Sequence, residues 1–457
     1  MVFSSVLFLF AFLPVTFLIY YAAPYRWKNT ALFLLSLVFY SWGEARYFPI
    51  MLSVIAVNYA SARGMERTAR RGTRAAFLWI AVLFNFGMLG FFKYADFLSS
   101  NLNALFSLDL PMLRLTLPLG ISFYTFQTMS YTIDVYRGDV PAERNIIDFG
   151  AFVVLFPQLI AGPIVRYTDI CTQLHSRALS LPEIEGGVRL FLLGLASKVL
   201  IANNIGSLWR DAEQIGFANI STPLAWLALA AYTLQIYFDF SGYSLMAIGL
   251  GRMLGFRFPK NFDFPYESRS VTEFWTRWHM TLGAWFREYV YYPLGGNRCG
   301  RRRQIFNLLA VWALTGLWHG ASWNFVIWGL YYFVLLMIEK MFLLDRLKKN
   351  CVFSHFYLLL IVSIGWGLFA ITDFGALGAF FGRLFSMTGG TDWLYFLRNY
   401  AVTFALGALF STQVLKKPFE RLTQNRAAAA VIYGALLLVC TAYLVDATYN
   451  PFLYFRF

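Results

Sequence analysis

Long apolar stretches without charge dominate the pattern of hydrophobic and polar positions along the chain. Residues 75–92, 115–133, 399–415 and 427–445 each lack Asp, Glu, Lys and Arg. A helix needs about 20 predominantly apolar residues to cross roughly 30 Å of hydrocarbon. Since several stretches of this length recur along the chain, the pattern predicts an all-α polytopic membrane protein and excludes a lone signal peptide or anchor.

The apolar stretches predict about 11–12 transmembrane helices, together with re-entrant and amphipathic segments. We expect a retained first span and a single transmembrane domain over residues 1–457, with both chain ends outside. The expected spans are approximately 4–23, 29–45, 46–62, 75–95, 114–134, 187–206, 222–243, 304–319, 322–342, 354–373, 397–415 and 427–447.

Two segments interrupt this regular pattern. Residues 149–165 are apolar but contain Pro157, Gly162 and Pro163, which favour a broken or re-entrant segment. Residues 273–294 place large apolar side chains at helical spacing on one stripe, with charged residues off that stripe. The second pattern predicts an amphipathic helix that lies at the cytoplasmic interface or forms the wall of a pocket.

A third irregular segment, residues 304–338, runs for 35 residues without a formal charge. As one helix it would be about 52 Å long, which is more than a single crossing requires. We therefore predict a break near residues 320–322, Gly-Ala-Ser. A break at that point places His319 beside a helix end and not on a lipid-facing surface.

Composition agrees with a membrane protein. Hydrophobic residues make up 59% of the 457 residues, charged residues only 14%, and the mean hydropathy is +0.56. Soluble domains carry about 25% charged residues. The net charge of +14 is concentrated in short arginine- and lysine-rich loops such as 61–74 and 297–303, which are typical of cytoplasmic loops and contacts with anionic lipids. We expect no nucleic acid partner.

The four cysteines are scattered and form no CxxC pair, so neither a disulfide framework nor a zinc site is expected. The acidic loop 96–109 contains no basic residue and is placed outside.

Four histidines are the first candidates for chemistry. His319 lies within an apolar segment, where an ionisable residue is a functional-site hypothesis by default; the alternative is a core histidine bound to a backbone carbonyl. His279 belongs to the amphipathic segment, and its alternative is an interfacial surface histidine. His175, in a polar loop, and His355, at the start of a span, are expected to be structural or solvated.

A second intramembrane charge is Asp239. A buried carboxylate needs a partner or becomes protonated, so Asp239 pairs with an arginine, orients a histidine, lines a polar channel or serves as a hydrogen-bond hub between helices. No GxSxG, Walker or GxGxxG motif is present, so a serine triad is unsupported. A histidine acts directly as general base toward a hydroxyl, and Trp318, Ser322 and Asn324 are candidates for stabilising an oxyanion.

Eight motifs carry a resemblance to a known family. They are LGISFYTFQ (119–127), YTIDVYRG (131–138), FPQLIAGPIVR (156–166), FDFSGYS (238–244), FWTRWH (274–279), YPLGGNR (292–298), LTGLWHGA (314–321) and YNPFLYF (449–455). In these motifs the sequence resembles the membrane-bound O-acyltransferase (MBOAT) family, specifically its bacterial alginate O-acetyltransferase (AlgI-like) branch.

The resemblance implies that His319 matches the active-site histidine of the family and that His279 matches the second histidine of this branch. It implies a fold with a cytoplasmic funnel for the acyl donor, and transfer of acyl groups to extracytoplasmic glycans, usually with a periplasmic or surface partner protein. The sequence departs from the family pattern at two positions. Leu245 replaces a common aspartate, and no histidine lies near Tyr332, where related members often carry one. Both departures weaken any role of these positions on the side of the acyl acceptor.

Further residues are candidates for substrate contact. Gln127, Gln158, Asp239 and Tyr243 lie within the resembling motifs. Arg277, Arg287 and the cluster 301–303 are candidates for attracting the phosphates of acetyl-CoA from the cytoplasmic side.

The expected function is O-acetyl transfer from acetyl-CoA to an exopolysaccharide such as alginate, or to a partner protein that acetylates it, in the bacterial cytoplasmic (inner) membrane. No bound cofactor and no metal are expected. Peptidoglycan O-acetylation or D-alanyl transfer to teichoic acid by the same fold are alternatives. A transporter or channel with Asp239 and His319 lining its path is a remote alternative, because the chain shows no repeat symmetry of the transporter kind.

Overall fold

The computed structural model describes residues 2–160 and 162–446. Within that part of the chain the regular structure is entirely helical. The chain divides into two compact units. The first comprises Met1–Phe191 and Met246–Pro259, and the second comprises Leu192–Leu245 and Lys260–Phe457. The resembling motif at 449–455 lies outside the described residues.

The first unit contains the N-terminal helices. They are α1 (Leu13–Ala22), α2 (Lys28–Glu44), α3 (Phe48–Glu66), α4 (Arg71–Phe106), α5 (Ile121–Arg137), α6 (Ile146–Val154), α7 (Phe156–Leu159), α8 (Tyr167–His175) and the first part of α9 (Leu181–Ala196). Helix α2 packs on α6, and α3, α4 and α5 pack on one another. Asn58 and Asn85 exchange two amide hydrogen bonds of 3.2 and 2.8 Å, which join α3 to α4. Such bonds link helices where no water is available.

The second unit contains most of the remaining helices. They are α10 (Asn203–Ile215), α11 (Thr222–Met253, through Leu245), α12 (Val271–Arg277), α13 (Met280–Phe286), α14 (Arg301–His319), α15 (Trp323–Ile338), α16 (Leu344–Leu347), α17 (Cys351–Ala370), α18 (Phe374–Phe385), α19 (Asp392–Phe410), α20 (Lys416–Gln424) and α21 (Arg426–Asp446). Helix α15 packs against both α14 and α17.

Four helices among the described residues are long and apolar enough to cross a membrane. They are α4, the continuous helical segment Trp323–Leu347, α17 and α21. Shorter apolar helices lie at Phe8–Ala22 and at α18. The prediction of an all-α polytopic membrane protein is confirmed.

Several predicted bounds are wrong. Helix α4 runs for 36 residues instead of 75–95, about 54 Å, because nothing in its sequence breaks the helix once it leaves the apolar segment. Helix α5 begins at Ile121 and not at 114, since Pro118 and Gly120 precede it. Gly120 has φ +72°, and a Cβ there would clash with the carbonyl oxygen of Leu159. Helix α18 was not expected from the sequence.

The irregular segments follow two of the three predictions. Helix α6 ends at Val154 and α7 is only four residues long, so the predicted broken segment is confirmed. The predicted break at 320–322 is also confirmed, because α14 ends at His319 and α15 begins at Trp323. The expectation of one helix over 273–294 is wrong.

That segment is two short helices, α12 and α13, followed by a π-helical turn at Arg287–Tyr291. The break falls at His279, whose φ of +43° is incompatible with a right-handed helix.

Glycines bring α14 and α15 into close contact. A Cβ added at Gly316 would clash with the carbonyl oxygen of Phe325, and one at Gly329 would lie 2.5 Å from the carbonyl oxygen of Trp312. Small residues at such crossings allow membrane helices to approach. Because His319 is three residues beyond Gly316, this crossing fixes the position of the imidazole relative to α15.

We predict that Gly316→Ala destabilises the protein by about 1–3 kcal/mol, because the added methyl meets backbone that has no room to move. The measurement is the thermal unfolding midpoint of the purified protein in detergent. Gly434→Ala in α21 is the matched control, since nothing lies within 4 Å of its added Cβ. An equal or smaller drop for Gly316→Ala than for the control would contradict a close α14–α15 contact.

Candidate active site

His319 is the last residue of α14 and lies among aromatic rings of the second unit. Its ring centroid is 5.1 Å from Trp318, 5.0 Å from Trp328 and 5.2 Å from Phe369. The residue is only 7% exposed. The imidazole therefore faces the interior of the second unit. This agrees with the prediction that a helix break places His319 away from a lipid-facing surface.

His279 also lies near Trp318. Its ring centroid is 6.1 Å from Trp318 and 4.7 Å from Phe240, and the residue is 2% exposed. This burial does not fit the alternative of an interfacial surface histidine. Trp318 thus contacts both imidazoles, and the two candidate catalytic residues belong to one cluster.

Asn261 contacts His279 and the start of α13. Its carbonyl oxygen accepts a 2.9 Å hydrogen bond from the Met280 amide. Its Oδ1 lies 3.1 Å from His279 Nδ1, 3.3 Å from the Thr281 amide nitrogen and 2.9 Å from Thr281 Oγ1. Its Nδ2 donates to Ser244 Oγ at 3.0 Å. Asn261 was not predicted from the sequence, because a single asparagine 18 residues before the histidine forms no recognisable motif.

Asn324 and Ser322 lie at the start of α15. Asn324 is 1% exposed, and its Nδ2 donates to the carbonyl oxygens of Leu368 and Phe369 at the end of α17. In the described part of the chain its Oδ1 has no hydrogen-bond partner, so the uncommitted atom is an acceptor. Ser322 is the N-cap residue of α15, and its side chain makes no capping bond. A role of either residue toward substrate stays a prediction.

Asp239 is paired with a lysine. Lys198 Nζ lies 2.5 Å from Asp239 Oδ1, and both side chains are almost fully buried. Lys198 belongs to a π-helical turn, Ser197–Ala202, next to Gly242 of α11, where a Cβ would lie 3.1 Å from the Lys198 nitrogen. A buried charge without its partner costs several kcal/mol, so the two residues depend on each other. Tyr243, also buried, follows one turn after Asp239.

Lys198 could have been found from the sequence, since it is a charged residue inside the predicted span 187–206. The same reasoning that selected Asp239 applies to it.

Gln127 and Gln158 belong to the first unit, and both are fully buried. Gln158 Nε2 donates to the Phe152 carbonyl oxygen at 2.6 Å. Neither atom of the Gln127 amide has a partner among residues 2–160 and 162–446. Their predicted contact with substrate stays a prediction.

The two predicted phosphate-binding arginines differ in their surroundings. Arg277 forms a 2.7 Å ion pair with Glu273 one turn earlier on α12. Arg287 is exposed on the π-helical turn, and residues 301–303 are exposed at the start of α14. Arg287 is therefore the better placed of the two to attract an anion from solution.

The other two histidines make local contacts. His355 Nε2 lies 3.1 Å from the Glu267 carbonyl oxygen. His175 is exposed, and its Nε2 lies 3.0 Å from Glu143 Oε2. Glu143, Asp148 and His175 bring possible metal ligands within 4.8 Å of one another. The Glu143 carboxylate also accepts hydrogen bonds from Tyr167 Oη and from two backbone amides. These bonds account for the burial of the carboxylate without an ion.

Comparison with known proteins gives one family. The model of the MBOAT, membrane-bound O-acyltransferase, family matches residues 141–372. The probable alginate O-acetylase of Azotobacter vinelandii is 41% identical over 400 residues, which cover 86% of this chain and 79% of the relative. The peptidoglycan O-acetyltransferase of Helicobacter pylori is 36% identical over 372 residues, covering 74% and 70%. The teichoic acid D-alanyltransferase of Streptococcus thermophilus is 30% identical over 252 residues, covering 51% and 58%.

The matched region contains α12 to α15, and hence both imidazoles and Trp318, which lies beside each of them. The similarity to the alginate relative extends over most of the chain, well beyond those helices. With its apolar spanning helices, the chain is a membrane acyltransferase that belongs to the membrane-bound O-acyltransferase (MBOAT) family.

Proposed function

We propose that this protein is an O-acetyltransferase that transfers an acetyl group from acetyl-CoA to a hydroxyl of an extracytoplasmic polysaccharide of the alginate type, or to a partner protein that acetylates it. The observation that carries the proposal is the pair of buried imidazoles that both lie beside Trp318, in a chain 41% identical to a probable alginate O-acetylase. Histidine is the side chain best suited to move a proton near neutral pH.

The chemistry needs a base and a thioester within reach of each other. The acceptor hydroxyl loses its proton to an imidazole nitrogen as its oxygen bonds to the acetyl carbon. The carbon–sulfur bond then breaks, and its electron pair leaves with the sulfur of coenzyme A. His319 is the residue we place at the thioester, and His279 polarises or relays a proton beside it. Because the chain belongs to an acyltransferase family, acyl transfer is favoured over transport.

The donor is proposed to enter from the cytoplasmic side of the bacterial inner membrane. Short loops rich in arginine, such as 297–303, are typical of the cytoplasmic face. The exposed Arg287 and residues 301–303 supply positive charge for the phosphates of coenzyme A. No bound cofactor is needed, because the acyl donor is itself a substrate.

Peptidoglycan O-acetylation is the second candidate, because the Helicobacter pylori relative is 36% identical over 74% of this chain. D-alanyl transfer to teichoic acid has less support, since the similarity to that relative covers only 51% of the chain. Acetyl analysis of both polymers in one strain separates the first two candidates.

We predict that His319→Ala lowers acetyl-CoA turnover by about 10²–10⁴-fold, the usual range for removing a general acid–base residue. Release of free coenzyme A thiol by membranes supplied with an acceptor glycan is the readout. His355→Ala is the matched control and retains wild-type turnover, since the hydrogen bonds of His355 among the described residues go to Cys351 and to the Glu267 backbone. Wild-type turnover in a folded His319→Ala protein rules out the assignment.

A second prediction concerns the donor. Arg287→Ala raises the KM for acetyl-CoA several-fold with kcat nearly unchanged, because an exposed charge acts on binding and not on the reacting atoms. The effect shrinks at high salt, where exposed charges are screened. Arg398→Ala, an exposed arginine of α19 that we place near the outer face, is the control. An equal KM change in both variants contradicts a cytoplasmic donor site near Arg287.

A further inference from the structure

Asn261 is buried, at 1% exposed, in the loop between α11 and α12. Its amide can be oriented without ambiguity. The Thr281 backbone N–H lies 3.3 Å from the side-chain atom that also contacts His279. A backbone N–H only donates, so the atom facing it is the oxygen, Oδ1. The amide nitrogen then points to Ser244 Oγ, 3.0 Å away, which accepts.

This orientation determines the proton on His279. Its Nδ1 lies 3.1 Å from Asn261 Oδ1, and a carbonyl-type oxygen accepts but does not donate. The Nδ1 atom must therefore carry the hydrogen. In a neutral imidazole the other nitrogen, Nε2, then carries the lone pair. Burial lowers the pKa of the His279 imidazole to about 3, which favours the neutral ring at cytosolic pH.

The backbone contacts of Asn261 hold the same histidine. His279 has φ +43° and ψ 53°, a left-handed conformation that is uncommon for a residue other than glycine. The amides that follow it, of Met280 and Thr281, both donate to Asn261 oxygens. A strained backbone persists only where neighbouring groups over-determine it, and here one residue fixes both the backbone and the ring.

We infer that Asn261 is a positioning residue that holds His279 in the tautomer protonated on Nδ1, so that Nε2 accepts a proton during acyl transfer. The inference rests on the proposed function and decides between the two roles left open for His279. Polarising a carbonyl requires an N–H at Nε2, whereas the tautomer held by Asn261 presents a lone pair there. His279 is thus a proton acceptor.

The step balances as follows. Nε2 of His279 takes the proton of the acceptor hydroxyl, directly or through His319. The ring is then an imidazolium, and its Nδ1–H is already hydrogen-bonded to Asn261. The hydroxyl oxygen forms its bond to the acetyl carbon, and the thiolate of coenzyme A leaves. The proton on the imidazolium then passes to that thiolate. Asn261 stays neutral throughout the step and acts through His279.

The first test reads the tautomer directly. The chain has only four histidines, so the protein labelled with 15N-histidine gives a tractable NMR spectrum of ring nitrogens. Comparison with the spectrum of His279→Gln assigns the His279 signals. We expect a protonated Nδ1 and an unprotonated Nε2 in the wild-type protein. A wild-type His279 with its proton on Nε2 overturns the inference.

The second test uses two substitutions of Asn261. Asn261→Leu keeps the volume but removes the acceptor, so we expect kcat to fall about 10²-fold or more while the KM for acetyl-CoA changes little. Asn261→Asp restores an acceptor oxygen and most of kcat. Its carboxylate stabilises the imidazolium and raises the pKa of His279, so the acid limb of the pH–rate profile moves to higher pH.

Asn307→Leu is the matched control, a fully buried asparagine of the second unit that contacts the loop 296–299. It should retain the wild-type pH profile and His279 tautomer. An Asn261→Leu protein with wild-type kcat and pH profile overturns the inference but leaves the proposed function intact. If the wild-type protein does not turn over acetyl-CoA, the proposed function is contradicted instead. The two outcomes are distinguishable because the NMR measurement of the tautomer requires no turnover.

Discussion

The nitrogens of a buried imidazole point where the neighbouring protein groups hold them, because packing leaves the ring little freedom to turn. Both candidate catalytic histidines are in this situation. His279 is held by the side-chain oxygen of Asn261, and its ring packs against Phe240 and Trp318. His319 is enclosed by three aromatic rings at the end of α14. The proposed reaction depends on that packing, because a general base works only when the correct nitrogen faces the proton.

Helix ends place both rings. His319 ends one helix where Gly320 leaves the helical conformation, and the Gly316–Gly329 contact sets how closely α14 approaches α15. His279 lies in a left-handed turn between two helices that are each only seven residues long. Neither histidine is in the middle of a regular helix. In such a position the helical period alone would determine the direction of the side chain. Breaking the helices at the site turns both side chains toward Trp318.

Sequence reasoning predicted the part of this arrangement that depends on hydrophobicity and length. The 35-residue uncharged stretch at 304–338 required a break, and the break lies at the predicted glycine. The break at His279 was not predicted, because the apolar stripe over 273–294 continues across it. That break depends on hydrogen bonds that Asn261 accepts from the Met280 and Thr281 amides, and Asn261 belongs to no recognisable motif. Asp239 was selected from the sequence as a charge within an apolar segment, and Lys198 could have been selected in the same way. Their pairing was not predicted, because it depends on tertiary structure.

The central claim is that this chain acetylates a surface polysaccharide through His319. Mass spectrometry of the polysaccharide from a strain lacking the gene, complemented with either the wild-type or the His319→Ala protein, tests it most directly. The account predicts that O-acetyl groups are lost in the deletion strain, return with the wild-type protein and stay absent with His319→Ala at equal protein levels. Full acetylation in the strain that makes only the His319→Ala protein would contradict it.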